Sequence, residues 1–528
     1  MLTSAAHAQL LNIPGQGWIY GASGSNYTVY YGLPYANPPL ANGASRWRAP
    51  VPSTGWAGVR YSTYAPPACE QVNPAGSATG TEDCLFVNVF TKPGANATST
   101  KLPVIVYIHG GAMTGGSSTD PNIDGTQTPS KSNVVLVTLQ YRLGSLGFLG
   151  HPGLFTENTN NAGNYGLLDV IEALRWIKKY IGNFGGDASH VTISGGSSGA
   201  LLVWDLLAAP SANGLYARAI TESFAPSNIP SLLGGTVSVT DAQSQGQTFA
   251  GKAGCTGAES VVIACLRAKA PGDLMTAQGT AQITSVYGPV YGGGNVLPRS
   301  PYQALTTGNY NHVGMINGTN HDEGRFISNV QYDMVYNPLN DTTYAALMNK
   351  NYGSRGPEVV NQYPSSQYCG YYGCGNASMA YAATVTDSVF ACTARTVNKL
   401  IGASIPALYA YELNDPHAYT IFPHPYYDLG SYHGAEPYYI MQQATAAYGG
   451  TAEQIALSNQ MMAYWGQFAA TGDPNLASSG LPNWPKYSTI NDSFISFEPA
   501  SATSSLRVLP ASGFDSFHKC SFWSTFGI

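Results

Sequence analysis

A serine held between two glycines is the residue in this sequence best suited to nucleophilic chemistry. Gly195, Ser197 and Gly199 form a Gly-x-Ser-x-Gly motif that follows a β-branched run and precedes a leucine-rich segment. A strand, a tight turn and a helix in this order are the context of a nucleophile elbow, which holds a serine hydroxyl clear of the sheet edge. Taken alone, the motif fits an ordinary strand-to-helix turn equally well, because the chain is rich in glycine and serine.

A second candidate feature is a glycine-rich segment that directly follows a continuous apolar run. Residues 103–108 have the pattern of a strand buried on both faces, and His109-Gly110-Gly111-Ala112 comes immediately after it. Backbone N–H groups of such a segment can point at one position, which is what a developing oxyanion requires. A plain glycine turn is the alternative interpretation.

An acid and a base for such a serine are also present. Asp322 and Glu323 follow a predicted strand at residues 313–317, where a carboxylate is well placed to orient a histidine, although an Asp-Glu-Gly sequence is more often a solvated turn. His433 lies in the glycine-rich stretch Gly-Ser-Tyr-His-Gly. The chain has ten histidines, so position alone does not select this one.

The elements around these residues indicate an α/β protein. Residues 134–139 and 217–223 are predicted to be further strands. Residues 166–182 have apolar positions three and four apart, which is the pattern of an amphipathic helix that ends near Gly182. Strands that alternate with helices favour a large, mostly parallel central sheet with helices on both faces.

Composition excludes several classes of function. Charged residues make up 10% of the 528 residues, against about 25% in typical proteins, and the net charge of −6 argues against a nucleic-acid partner. No run of 18 apolar residues predicts a transmembrane helix. The sequence has no metal-ligand spacing, no P-loop and no dinucleotide fingerprint, so we expect no cofactor and no metal.

Eight cysteines and six Asn-x-Ser/Thr sequons favour an oxidising, secretory compartment. The sequons begin at Asn26, Asn96, Asn317, Asn340, Asn376 and Asn491. Asn317 falls in a predicted strand, so we do not expect glycan there. Ala6-His7-Ala8 fits the end of a secretory signal, which makes residues 1–8 the remnant of a signal peptide and Gln9 the expected mature start.

Ordered motifs along nearly the whole chain resemble the type-B carboxylesterase/lipase family, the cholinesterase-like branch of the α/β-hydrolases. In chain order they are GLPYANPP, EDCLFVNV, IHGGA, YRLGSLGFLG, NYGLLD, FGGDASHVTISGGSSGA, TES, GTNHDEG, GSYHGAE, FAATGDPN and KCSFW. The order Ser, Glu, His is also that of α/β-hydrolases. The resemblance implies an α/β-hydrolase fold, with residues 9–528 as a single domain. The composition looks like that of a fungal secreted member.

The resemblance also implies roles for the candidate residues. Ser197 matches the nucleophile, His433 the general base and acid, and Glu323 the carboxylate that orients the histidine. Asp322 is the rival for the last role, but the family's acid directly precedes the glycine. The oxyanion donors implied are the backbone N–H groups of Gly111, Ala112 and Ser198, where Ala112 replaces a glycine that many members have.

Family disulfides are matched by Cys69–Cys84 and Cys255–Cys265. Cys392 and Cys520 resemble the pair that ties down the C-terminal segment in cholinesterases. Cys369 and Cys374 are left over and would close a local loop, although connectivity cannot be read from sequence alone.

Several pocket positions depart from the family pattern. Gly196 stands where the family usually has a glutamate, whereas Glu436 matches the family's second glutamate and is retained. Glu222 precedes Ser223, which matches a serine behind the active site; Glu222 either replaces the lost charge, faces solvent or forms a salt bridge. Phe224 stands where a small residue is common, which predicts a narrowed pocket and a preference for small acyl groups.

The function expected from these observations is that of a secreted serine carboxylesterase acting on short-to-medium acyl chains through an acyl-enzyme. The segment between Cys69 and Cys84 is short and polar, which favours dissolved esters over interfacial activation. A lipase or sterol-esterase-like enzyme is the alternative, with a lid from elsewhere, for instance the tyrosine-rich residues 363–381. A non-catalytic cholinesterase-like binding protein is the alternative from a different class. The oligomeric state stays open.

Overall fold

The computed structural model describes residues 9–38, 43–158, 162–228, 234–279, 287–441, 449–475, 480–499 and 506–528. The expected signal remnant, residues 1–8, lies outside this range. Within the described residues, no helix is long and apolar enough to cross a membrane. The chain divides into two compact units. The first unit consists of the residues up to 220, 234–314 and 462–476. The second unit consists of residues 221–233, 315–461 and 477–528.

Strands alternate with helices along most of the chain, as the apolar patterns predict. The strands are β1 Gln9–Ile13, β2 Gly17–Ser23, β3 Thr28–Pro34, β4 Val59–Ser62, β5 Gln71–Val72, β6 Ala78–Thr79, β7 Phe86–Thr91, β8 Leu102–Ile108, β9 Val135–Leu139, β10 Gly186–Gly196, β11 Arg218–Glu222, β12 Val237–Ser238, β13 Val290–Tyr291, β14 Gly314–Asn320, β15 Cys369–Gly370, β16 Gly373–Cys374, β17 Leu408–Leu413, β18 Ser493–Phe497 and β19 Leu506–Pro510.

The helices fill most of the intervals between these strands. They are α1 Thr128–Lys131, α2 Gly144–Phe148, α3 Pro152–Glu157, α4 Tyr165–Tyr180, α5 Ser198–Ala208, α6 Val239–Lys252, α7 Glu259–Ala268, α8 Pro271–Gln278, α9 Pro301–Thr307, α10 Glu323–Ser328, α11 Asp341–Tyr352, α12 Gly356–Gln362, α13 Ala377–Val385, α14 Cys392–Ile401, α15 Glu436–Ile440, α16 Ala452–Thr471, α17 Ala511–His518 and α18 Cys520–Ser524.

The first unit contains a mixed sheet whose strands follow the order β1-β2-β3-β7-β9-β8-β10. Its inner strands β9, β8 and β10 are parallel. The neighbours β1 and β2, β2 and β3, β3 and β7, and β7 and β9 are antiparallel, and β4 pairs parallel with β2. All five residues of β9 and the last five of β8 are buried, which is why both read as continuous apolar runs. The candidate nucleophile therefore follows the carboxyl end of β10, and the candidate oxyanion segment follows the carboxyl end of its parallel neighbour β8.

Helix α4 in the first unit shows the period that the sequence predicts. Leu167, Val170, Ile171, Leu174 and Ile177 are buried along one side. The helix ends at Tyr180, and a short 3-10 turn leads to Gly185, whose left-handed φ of 78° suits glycine.

The second unit contains the strand order β14-β17-β18-β19. Strands β14, β17 and β18 are parallel, and β19 pairs antiparallel with β18. Glu323 follows β14 after two residues, so the candidate acid lies at the carboxyl end of a parallel strand.

Four disulfides link the eight cysteines, in the pairs Cys69–Cys84, Cys255–Cys265, Cys369–Cys374 and Cys392–Cys520. The first two lie in the first unit and the other two in the second. Cys392–Cys520 closes 128 residues and joins the start of α14 to the start of α18. It therefore fastens the C-terminal segment within the second unit.

Candidate active site

Ser197 occupies a strained turn between β10 and α5. Its φ of 56° and ψ of −126° are unusual for a residue with a side chain and cost free energy that the surrounding structure must supply. A Cβ atom on Gly199 would clash with the carbonyl oxygen of Ile108, and one on Gly195 would lie 2.6 Å from the backbone of Gly199. The turn therefore requires both glycines of the motif, which is the geometry that the sequence predicts for an elbow.

The residue after Ser197 begins helix α5. The backbone N–H groups in the first turn of a helix have no acceptor within the helix, and the helix dipole gives this end a partial positive charge. Ser198 is the first residue of this eleven-residue helix. Its N–H is therefore suited to bind negative charge beside the Ser197 hydroxyl.

The candidate oxyanion segment also has an unusual backbone. Gly111, Ala112 and Met113 have φ values of 117°, 53° and 60°. The N–H groups of Thr114 and Gly115 both donate to the carbonyl oxygen of Gly111, at 3.1 and 2.9 Å. Successive residues in such conformations turn neighbouring N–H groups toward one side and create a concave site for an anion. The oxyanion role of this segment stays a prediction.

Gln71 lies in the hairpin β5–β6, which a disulfide encloses, and its side chain is hydrogen-bonded to this segment. Its side chain accepts a hydrogen bond from the N–H of Gly116 at 3.1 Å and donates to the carbonyl oxygens of Gly116 and Cys69, both at 3.0 Å. The Met113 N–H in turn donates to the Ser198 hydroxyl at 3.3 Å. Sequence reasoning missed Gln71 because only its position two residues after a cysteine marks it.

The second unit brings the predicted base and acid together. The distance between His433 Nδ1 and Glu323 Oε2 is 2.7 Å, and the exposed fractions of the two side chains are 9% and 0%. Glu323 Oε1 accepts hydrogen bonds from the Asn320 N–H at 2.8 Å and the Thr319 hydroxyl at 3.0 Å. Nδ1 of His433 therefore donates to a carboxylate that is itself fixed in place.

The charge on Glu323 changes how His433 titrates. Burial lowers the pKa of the His433 imidazole, but the attraction of the Glu323 carboxylate, its hydrogen bond and the nearby Glu436 raise it. The result is a pKa above the ordinary value of 6.5. Such a shift increases the basicity of the ring and hence its ability to take a proton from a weak acid such as a hydroxyl.

Asp322, the rival for the acid, has other partners. Its carboxylate forms an ion pair with Arg325 at 2.8 Å and lies 3.2 Å from His321 Nδ1. It also accepts the N–H of Ser431 at 3.2 Å. Burial raises the pKa of Asp322, but these cationic and hydrogen-bonding partners outweigh burial and lower it. The geometry of the second unit thus favours Glu323 as the partner of His433.

Glu436 and Ser223 form a second buried pair near these residues. The Ser223 hydroxyl donates to Oε1 of Glu436, which is 1% exposed. Burial and repulsion from Glu323 raise the pKa of Glu436 to about 7, even though the hydrogen bond from Ser223 lowers it. Ser223 itself has a left-handed φ of 60° and donates its N–H to Gly318 at 2.9 Å.

Two further pocket predictions fall on the end of β11 and the residues after it. Glu222 is fully buried, so the alternative in which it faces solvent is wrong. Its neighbours Thr221 and Ser223 are buried as well, so this end of β11 lies in the interior. Phe224 is partly exposed, and its effect on acyl-chain length stays a prediction.

The two candidate lid segments differ in character. Between Cys69 and Cys84 the structure has only the small hairpin β5–β6. The tyrosine-rich residues 363–381 contain a second hairpin, β15–β16, closed by Cys369–Cys374. Tyr371 and Tyr372 at its tip are 56% and 84% exposed, whereas Tyr363 is 1% exposed.

Each unit contains groups of the kind that acyl transfer uses. The first contains a hydroxyl on a strained turn at the start of a helix, and the second contains an imidazole hydrogen-bonded to a carboxylate. Nucleophilic ester cleavage uses such a hydroxyl, base and oxyanion site. A separate cluster with the donor types that metal ions use, His321, Glu412 and His518, lies in the second unit.

Comparison with known proteins places the chain among ester hydrolases. A profile of the carboxylesterase family matches residues 8–514. The chain is 31% identical over 496 residues to liver carboxylesterase 1 of Oryctolagus cuniculus, a match that covers 87% of this chain and 83% of that protein. Carboxylesterase 1D of Rattus norvegicus is 30% identical over 490 residues, with the same coverage.

A solved structure described as PNB esterase resembles this chain in three dimensions. The TM-score is 0.77 with 26% sequence identity, and the match covers 97% of this chain and 99% of that one. The similarity confirms the predicted α/β-hydrolase fold.

Proposed function

The chain belongs to the carboxylesterase family and is a carboxylic ester hydrolase, and from this premise we propose that it is a secreted serine esterase acting through an acyl-enzyme on short-to-medium acyl chains. Ser197 is the nucleophile, His433 the general base and acid, and Glu323 the orienting carboxylate. The observation that carries the assignment is the 2.7 Å hydrogen bond between His433 and Glu323, because it leaves Nε2 as the nitrogen that serves the serine.

In the proposed reaction, His433 Nε2 takes the proton of the Ser197 hydroxyl as its oxygen attacks the ester carbonyl carbon. The N–H groups of Gly111, Ala112 and Ser198 stabilise the tetrahedral oxyanion. The C–O bond to the alcohol then breaks, and the alcohol leaves with the proton from His433. A water molecule repeats the attack on the acyl-enzyme, releasing the acid and restoring Ser197. Because each proton passes through His433, this sequence needs no metal or organic cofactor.

Acyl-chain length is proposed to depend on Phe224. A large aromatic ring directly after Ser223 occupies volume where a small residue would leave space for a longer chain. The short polar hairpin β5–β6 supports a preference for dissolved esters, because an interfacial lid needs an apolar face.

Secretion is supported by the four disulfides, which persist in oxidising compartments. Asn26, Asn340 and Asn491 are exposed, whereas Asn317 in β14 is fully buried and is not expected to carry glycan. Enzymatic deglycosylation of material from the native secretion medium should lower its mass. Native protein found only inside cells, without glycan, would refute secretion.

The proposal is tested with initial rates on p-nitrophenyl acetate, butyrate, octanoate and palmitate, using Ser197→Ala as the control. We expect a maximum at acetate or butyrate and no activity above background in the variant. A maximum at octanoate or beyond that rises above substrate solubility would favour the lipase or sterol-esterase alternative. No turnover of any ester, together with no labelling by an organophosphonate probe, would favour the binding-protein alternative.

Phe224→Gly should shift this profile toward longer chains, while Phe224→Tyr, which keeps the ring, should leave it unchanged. An unchanged profile in Phe224→Gly would remove Phe224 from the acyl pocket without affecting the roles of Ser197 and His433.

A further inference from the structure

Three side chains with metal-ligand chemistry meet in the second unit outside the proposed active site. His321 follows β14, Glu412 lies in β17, and His518 is the last residue of α17. One donor atom from each residue lies within 4.8 Å of the donor atoms of the other two. The imidazole rings of His321 and His518 are 5.4 Å apart, centre to centre.

Both histidines have one ring nitrogen on an aspartate. Nδ1 of His518 lies 2.8 Å from Asp387, and Nδ1 of His321 lies 3.2 Å from Asp322. A carboxylate on one ring nitrogen is the usual arrangement around histidines that bind metal, because it fixes the ring and leaves the other nitrogen for the ion. Here it directs Nε2 of each ring toward an ion, which at His518 would replace the proton that Nε2 now donates to Glu412.

Glu412 supplies an oxygen that lacks a hydrogen-bond partner. Its side chain is fully buried, and Oε1 accepts from His518 Nε2. Among the described residues, Oε2 has no hydrogen-bond partner. A buried carboxylate oxygen without a partner is costly, and a cation would remove that cost.

We propose that His321, Glu412 and His518 bind one divalent transition-metal ion of the zinc type. Two imidazoles and one carboxylate are ligands that zinc favours, and the ligand atoms around tetrahedral zinc are about 3.3 Å apart, given bonds of about 2.0 Å. The ligand atoms of the three residues all lie within 4.8 Å of one another, so binding requires them to approach to about the tetrahedral separation. Binding displaces the proton that His518 Nε2 shares with Glu412, and this proton passes to water.

The setting of the site points to a structural ion. His518 lies two residues before Cys520, and Glu412 lies in a parallel strand, so an ion would join the C-terminal helix to the sheet of the second unit. The side chain of His321 is 25% exposed, which gives the ion and a water ligand access from solvent. No sequence motif marks this site, because His518 and Glu412 are 106 residues apart in the chain.

The test is titration of the full chain with zinc chloride after treatment with a chelator, followed by calorimetry, and with cobalt chloride followed by absorption. We expect one equivalent of zinc, a rise in melting temperature, and a tetrahedral cobalt spectrum. Glu412→Gln and His321→Gln should each weaken zinc binding at least tenfold. Asp387→Asn should weaken it about 10- to 100-fold through the orientation of His518.

His417→Gln is the matched control, because His417 also has an aspartate on Nδ1, Asp428 at 2.8 Å, but is exposed. It should bind zinc like the unaltered chain. If Glu412→Gln does not fold, the partly exposed His321→Gln decides the question. No binding of zinc, or binding that His321→Gln leaves unchanged, would overturn the proposal and leave His518 as the centre of a metal-free ion cluster.

Discussion

His433 and His518 are buried imidazoles of the second unit that each have a carboxylate at Nδ1, Glu323 at 2.7 Å and Asp387 at 2.8 Å. They differ in the role proposed for the other ring nitrogen. Nε2 of His518 donates to a second carboxylate, Glu412, and although burial lowers its pKa, the two carboxylates raise it to about 10. Burial lowers the pKa of His433, but the Glu323 carboxylate at Nδ1 and the nearby Glu436 raise it overall.

The difference shows what distinguishes a buried histidine that can act as a general base from one that stays protonated. A general base must exchange its proton near the working pH. An imidazole between two carboxylates keeps its proton at pH values well above 7, unless a metal ion replaces that proton. A carboxylate beside a buried histidine is therefore insufficient to identify a catalytic base, because a second carboxylate in direct contact, as at His518, keeps the ring protonated.

The largest expected effect comes from removing the base. His433→Gln should lower kcat by about 10⁴- to 10⁶-fold, because no group then accepts the Ser197 proton. The glutamine amide can still donate to Glu323, so the melting temperature should change little. Steady-state rates with p-nitrophenyl butyrate and a thermal melt measure both quantities. A loss of less than tenfold in a folded variant would contradict the role of His433.

Glu323→Gln comes next, with an expected loss in kcat of about 10⁴-fold, because an amide no longer selects the imidazole tautomer that serves the serine. Neutral imidazole is the active form, so the rate falls as the pH drops through the pKa of His433. Glu323 raises that pKa, and its removal should move the acidic limb of the kcat/KM profile to lower pH. A limb that stays in place would exclude Glu323 as the cause of the shift.

The two clusters also differ in what the sequence reveals. The apolar patterns predict β8, β9 and α4, whereas the roles of Glu323 and His433 are predicted from the motifs that resemble the family. His518 and Gln71 carry no such pattern, because their partners are distant in sequence or are backbone atoms. The burial of Glu222 was likewise unpredictable, since an isolated glutamate beside a strand end is compatible with either face.

His518→Gln tests the other side of the comparison. Its removal takes away the imidazolium in hydrogen-bond contact with the buried carboxylates of Asp387 and Glu412, which should lower the free energy of unfolding by about 3 to 5 kcal/mol. Urea unfolding of the chelator-treated chain measures this. The exposed pair of His417 with Asp428 is the control, and His417→Gln should cost less than about 1 kcal/mol. Equal losses in the free energy of unfolding in the two variants would mean that burial does not determine how much the His518 cluster contributes to stability.

The smallest effect is expected for Glu436→Gln, which changes charge near His433 without removing its partner. The pKa of Glu436 is about 7, so its carboxyl is largely protonated below that pH and charged above it. The charged form raises the pKa of His433, and because the two groups interact, they titrate as a pair.

In the Glu436→Gln variant, the acidic limb of the kcat/KM profile should become a simple single-proton titration at lower pH. The displacement should be smaller than in Glu323→Gln, and kcat at high pH should change by less than about tenfold, since an indirect electrostatic effect is weaker than a lost hydrogen bond. A displacement equal to that of Glu323→Gln would show that Glu436 affects the proton affinity of His433 as strongly as Glu323, which is in direct contact with it.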